Sequence, residues 1–352
     1  MATNFDDLKL SVEALSGGKN TVILDDLGMP SIMVIVPQMK SSEIIEGATE
    51  TIHPAFVIDG TNKAAVAISK YQNIIVSNRA YSLPNQDPRA NITADAARTA
   101  CRNKGDYWTL TPFSLWSAIA LWCKKNGTMP HGNNNYGRDV SYSHEKGVAS
   151  MALDSSGRIQ RTATGSGPAT WYHDYTPAGI ADMNGNVSEW CDGMRLAKGE
   201  IQIIPYANCA LPSSDNSAGS SEWRAIKSDG SLVAPGTTGT LKYDQANSKV
   251  TLATSITTQA DESKNTLFQS LAVATGLTVP QIIKELALFP ADADGYEGDN
   301  FYMNNGADER FPFRGGYWAS SSGAGVFSAS LRYPRSFSDG SFGFRSAFYG
   351  EL

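Results

Sequence analysis

The stretch Phe313-Arg314-Gly315-Gly316-Tyr317-Trp318, with Gly343-Phe344-Arg345 closing the same segment, brackets the most unusual part of this chain. Between the brackets stand Ser320-Ser321-Ser322, Ser328-Ala329-Ser330, Arg332-Tyr333, Ser336-Phe337-Ser338-Asp339 and Ser341-Phe342. Tyrosine offers a large contact area at low entropic cost, and serine offers adaptable hydrogen bonding. Such a mixture suits a contact surface, and no set of catalytic groups is visible in it. The glycines, tryptophan and arginines at its ends read as a frame.

Working outward, Asn184-Gly185-Asn186 before Val187 to Trp190 predicts a tight turn entering a strand, because these residues tolerate positive φ and bond their own backbone. Arg314 and Arg345 carry five directed donors each and are expected to tie loop carbonyls or a carboxylate such as Glu189. Trp190, Trp318, Phe327, Leu331 and Phe344 are expected in the core.

Two helices are predicted. Thr93 caps the first, which runs through Cys101. Thr111 caps the second, with Pro112 at its first position, Leu115, Ile119 and Trp122 as its inward stripe, and Gly127 as its stop. Short strands are expected at Thr21–Leu24, Ser31–Val36, Phe56–Asp59, Ala65–Tyr71 and Asn73–Val76. Residues 1–53 read as a separate segment, either for attachment or oligomerisation or as an extra layer on the main domain. The block 210–290 reads as an insertion carried on the surface, with helical spacing at 267–274 and 279–288.

Composition narrows the function. At 352 residues, 41% hydrophobic and 18% charged, the chain can bury a sizeable core. A net charge of -6 argues against nucleic acid as partner. No apolar run is long enough for membrane insertion, and the first residues carry no secretory signal pattern. Cys101, Cys123, Cys191 and Cys209 are too sparse for a disulfide scaffold and lack zinc spacing. The histidines are scattered among loops. Asp292, Asp294, Asp299 and Asp308 lie near Gly295 and Gly298, so calcium is conceivable; their spacing does not match a helix-loop-helix site, and a solvated acidic loop with no cofactor is the expectation.

Taken together, Gly179 to Trp190, Arg314 to Trp318 and Gly343 to Arg345 resemble the formylglycine-generating-enzyme branch of the C-type lectin fold, an α+β fold, over roughly residues 54–349 of a domain spanning 54–352, with 210–290 fitting least well. The enzymes of that branch use paired redox cysteines in the C-terminal segment. This chain has no cysteine after Cys209, so the resemblance implies no such activity and no catalytic residue. Asp182, Glu189 and His173 are the polar residues any other chemistry would have to use. The chain is closer in pattern to diversity-generating-retroelement variable proteins, where adenine mutagenesis exchanges side chains in the final segment. That resemblance implies a variable ligand-binding region at 314–349. Its site residues would be Tyr317, Ser320, Ser321, Ser322, Ser328, Ser330, Arg332, Tyr333, Ser336, Phe337, Ser338, Asp339, Ser341 and Phe342. Its implied partner is a host cell-surface protein or glycan, with a virion tail protein and further copies of the chain as additional partners. The expected location is a virion tail, or alternatively a bacterial cell surface. The competing reading is a structural or assembly domain of the same fold.

Overall fold

The computed structural model describes residues 4–246 and 249–352; residues 1–3 of the N-terminal segment and 247–248 of the 210–290 block lie outside the described residues. The chain is an α+β protein in which one antiparallel and two mixed sheets share a core with the helix Phe113–Asn126.

That helix is buried along most of its length, with Leu115 and Ile119 in the core and Trp122 half-buried. Gly127 stops it at φ 67°, as its position predicts. Its start differs from expectation. Pro112 is the cap residue, and Thr111 instead donates its hydroxyl to the Arg345 carbonyl at 2.9 Å. The nearby chain offered Thr111 a buried acceptor, and that outcompeted the local cap. In the helix Ala94–Arg102 Thr93 does cap, accepting from Ala96 N.

Two sheets position the C-terminal segment. In the first, Asn20–Leu24, Pro30–Pro37, Ala65–Ser69, Ser346–Phe348 and Trp108–Leu110 pair in that order. The N-terminal strands are therefore continuous with the main sheet, and Val34, Val36, Ile44 and Ile45 join the central core. The boundary at 53 does not divide two packing units. A helix at Asn4–Ser16, which sequence reading missed, precedes these strands.

In the second sheet the order is Lys264–Leu267, Asn300–Met303, Gly325–Leu331, Phe313–Gly315, Ser188–Trp190 and Phe342–Phe344. It is mixed: Gly325–Leu331 runs parallel to Asn300–Met303 and antiparallel to Phe313–Gly315. A bulge between Arg314 and Gly315 shifts that register. Gly315 sits at φ +87°, where a Cβ would lie 3.0 Å from the Met183 carbonyl. Only glycine allows that approach without displacement.

The 210–290 block is not a surface addition. Its strands Arg224–Ile226, Lys242–Asp244 and Thr251–Ala253 belong to a sheet built on Glu200–Ile203. Tyr243, Leu252 and Phe268 enter the same core as Trp116 and Phe327. Residues 267–274 are not helical: the strand Lys264–Leu267 ends there, a short 3-10 turn follows, and Ala272–Val273 is again strand. Pairing with Asn300–Met303 and Thr251–Ala253 overrode the helical spacing. In the second predicted helical stretch only Gln281–Glu285 is α-helical.

Candidate functional site: a framed cavity in the C-terminal segment

Arg345 joins the two sheets. It falls between Phe342–Phe344 of one and Ser346–Phe348 of the other, and it is fully buried. Its Nε and Nη2 donate to the Glu189 carboxylate at 2.5 and 2.6 Å, and further donors reach the Ser69 and Ala181 carbonyls. The predicted arginine-to-Glu189 tie is thus made by Arg345. Glu189 also accepts from Gln72 Nε2 at 2.9 Å. Arg314 is buried too, but it donates to Ser117 Oγ and to the Phe327 and Leu286 carbonyls. Burial lowers its pKa to about 10. Neither arginine is exposed to a ligand.

The predicted turn holds the other side of the frame. Asn186 sits at φ 61°. Its side chain donates to Gln72 Oε1 and the Thr162 carbonyl and accepts from Thr162 N. Its carbonyl accepts from Trp318 N, and the Trp318 carbonyl accepts from Tyr136 N at 2.7 Å. Trp190, Trp318, Phe327, Leu331 and Phe344 are all buried, as expected. Arg335 is a frame residue as well, held by two bonds to Glu309 and one to the Asn216 carbonyl.

Within this frame lies a cavity of about 280 Å³. Tyr317, Ser320, Ser328, Ser330, Arg332, Tyr333, Asp339, Ser341 and Phe342 all line it. Strand geometry explains much of this. Phe327, Ala329 and Leu331 point into the core, so Ser328 and Ser330 take the opposite face, and Arg332 continues that row. Both serines are buried and form its floor rather than an exposed rim.

Phe342 departs from expectation. As a ligand-binding residue it is expected at the surface, yet it is only 4% exposed, packed against Phe313 at 4.5 Å and Trp190 at 5.3 Å between ring centroids. The parallel pairing of Phe342–Phe344 with Ser188–Trp190 turns it inward. It supports the outer aromatics. Tyr333 and Phe337 are half-buried and stack at 4.0 Å with their planes 5° apart. Ser321, Ser322, Ser336 and Ser338 are exposed and do not line the cavity.

Polar groups in the cavity are incompletely matched. Arg332 stands over the Tyr302 ring at 4.3 Å and the Tyr333 ring at 4.9 Å. Among the described residues it has no ion-pair partner, and its buried Nε has no hydrogen-bond partner. Ser330 Oγ is likewise buried without a partner. Asp339 Oδ1 accepts from Ser341 N and Ser341 Oγ at 2.7 and 2.6 Å.

Sequence reading missed Ser188, Tyr302 and Phe313, which complete the lining from neighbouring strands. Tyr302 had a signal: in Asn300–Met303 it alternates with the buried Phe301 and Met303.

The other candidates do not assemble into a site. Asp182 is buried, and desolvation raises its pKa to about 6. His173 accepts from Ile180 N, and burial lowers its pKa to about 4. The four acidic-loop aspartates do not converge: Asp292 pairs with Lys124, Asp308 with Lys198, buried Asp299 accepts from Phe327 N, and Asp294 is exposed. Among the described residues no three His, Cys, Asp or Glu side chains gather as metal ligands. All four cysteines are free and buried, and burial pushes their thiols up. Among the described residues no helix is long and apolar enough to cross a membrane.

No family model matches the chain, and no curated protein does. Solved structures align along most of it. The Major Tropism Determinant U1 Variant aligns over 94% of this chain and 71% of its own, at 10% identity and TM-score 0.32. The P3c Variant of Major Tropism Determinant gives the same coverages and identity with TM-score 0.33. Treponema denticola variable protein 1 aligns over 94% of this chain and 98% of its own, at 10% identity and TM-score 0.32. Superpositions at this level establish neither fold family nor function.

Proposed function

We propose that this chain is a diversified ligand-binding protein of the formylglycine-generating-enzyme-like branch of the C-type lectin fold, recognising a molecule on a host cell surface. One observation carries the reading: nine of the fourteen residues selected from the C-terminal stretch as exchangeable line one cavity, while Trp318, Phe327 and Leu331 of the frame are buried. A scaffold of that kind allows side chains to change while the backbone stays in place. Tyr317, Tyr333 and Phe337 supply the aromatic contacts, and Arg332 and Asp339 supply charge selection. Ser321, Ser322, Ser336 and Ser338 extend the surface around the opening. The work of the site is non-covalent recognition, not catalysis.

A phage virion tail is the setting this reading favours, with the segment 1–53 as the place for docking or self-association. Several copies would then raise a modest single-site affinity. The decisive experiment is to sequence the DNA flanking the gene. A reverse-transcriptase gene and a near-identical template repeat, differing from codons 314–349 at adenines, is the expected result. A locus with neither overturns diversification and favours a structural domain of the same fold. Recognition itself is tested by the Tyr317→Ala, Tyr333→Ala double variant. It is expected to lose binding to whole host cells while melting at the temperature of the parent protein.

A further inference from the structure

Resting on the reading of the cavity as a recognition site, we infer that this sequence binds a sugar carrying a single carboxylate, of the hexuronic acid class, with the acid group on Arg332. The guanidinium carbon lies 4.3 Å from the Tyr302 ring centroid and 4.9 Å from the Tyr333 ring centroid. Its N–H groups form a fork in the guanidinium plane. A planar, bidentate acceptor satisfies that fork, and a carboxylate is one. The protein supplies none: among the described residues Arg332 has no ion pair, and Nε is buried without a partner. The two rings also hold the guanidinium in place before a ligand arrives, which reduces the ordering penalty of binding.

Ser330 marks the second contact. It lies two residues from Arg332 on the same strand face, is 2% exposed, and its hydroxyl has no partner. A native protein rarely leaves such a group buried and unmatched. Ser188, Ser320 and Ser328 add further hydroxyls to the lining. A ligand rich in its own hydroxyls can match that wall, whereas the methylenes of a glutamate side chain cannot. Size agrees. A cavity of about 280 Å³ is near the roughly 300 Å³ lower bound of small-ligand pockets. It takes one sugar ring and not a folded peptide segment. Asp339, also in the lining, adds a negative charge that disfavours a second anionic group on the ligand.

The experiment is calorimetric titration of the full chain with D-glucuronate and D-galacturonate, beside D-glucose, D-galactose and N-acetylglutamate N-methylamide. One uronate is expected to bind at least tenfold more tightly than its neutral parent sugar and than the glutamate derivative. Arg332→Gln should erase the difference between acid and neutral sugar, and Ser330→Ala should weaken uronate binding severalfold. Arg332→Lys retains charge without the fork and should recover only part of the affinity. Equal binding of neutral and acidic sugars overturns the inference, as does equal or tighter binding of the glutamate derivative, which would point to a protein side chain. Failure of both uronates to bind the parent chain also overturns it. If host-cell binding is still lost in the Tyr317→Ala, Tyr333→Ala variant, that failure leaves the broader recognition reading standing.

Discussion

Arg345 and Arg332 lie in the same C-terminal segment and meet opposite fates. Arg345 is fully buried and its donors are matched by Glu189 and two backbone carbonyls. Arg332 is half-buried, braced by two rings, and has a buried Nε without a partner. The bonding of Arg345 is closed within the protein, whereas the guanidinium of Arg332 is open to the cavity. A buried charge that loses its partner is strongly destabilising, whereas a charge kept at the edge of a cavity remains available. The frame residue Arg314 also has a buried Nε without a partner, so what sets Arg332 apart is its place in the cavity lining together with its lack of any side-chain hydrogen bond within the described residues.

The sharpest way to break the comparison is Glu189→Ala. It strands Arg345 between two sheets, and a loss of about 3–5 kcal/mol is expected in urea denaturation. A loss below about 1 kcal/mol would show that the tie is not what holds the frame. Asn186→Ala comes next. It removes the bonds to Gln72 and Thr162 and places a β-carbon residue without side-chain support at φ 61°. The expected loss is on the order of 3 kcal/mol, measured the same way.

A buried charge of another kind tests whether pairing is the relevant variable. Lys104 is buried over the Trp108 ring at 3.2 Å and donates to Ser31 Oγ at 2.7 Å, and burial lowers its pKa to about 7. Above pH 7 the unfolded chain holds the Lys104 proton while the native chain releases it. Stability contributed by this group therefore rises with pH from 7 towards the ordinary lysine value and is lost as pH falls towards 7. Between pH 7 and 8 the expected gain is about 1 kcal/mol. Lys104→Met should flatten the slope, and an unchanged slope would assign it to another group. Above the ordinary thiol range the buried cysteines act in the opposite direction, since the native state retains their protons. The smallest effect on stability is expected at the site. Arg332→Gln should change the unfolding free energy by less than about 0.5 kcal/mol. A loss as large as that of Glu189→Ala would place Arg332 in the frame and dissolve the comparison.

Several parts of this arrangement are readable in the chain alone. The alternation Phe327-Ser328-Ala329-Ser330-Leu331 separates core from cavity face, because successive strand side chains point to opposite sides. The stop at Gly127 and the turn at Asn186 follow from local φ preferences. The partners of these elements are less legible. Thr111 has the chemistry of a cap, yet it bonds the Arg345 carbonyl, 234 residues away in sequence. Phe342 looks like its half-buried aromatic neighbours until its parallel pairing with Ser188–Trp190 carries it inward. Tyr302 and Ser188 reach the cavity only because their strands flank Gly325–Leu331 and Phe313–Gly315.

Sequence by itself determined the buried frame residues, the strand faces, the turn and stop glycines, and the segment that supplies most of the cavity lining. These depend on φ range, side-chain period and burial preference, which each residue carries with its near neighbours. Tertiary structure decided which carboxylate meets which arginine, which aromatic is floor and which is wall, and which polar atoms stay open. Those outcomes depend on how separate strands align and how sheets cross, and no local stretch encodes that geometry.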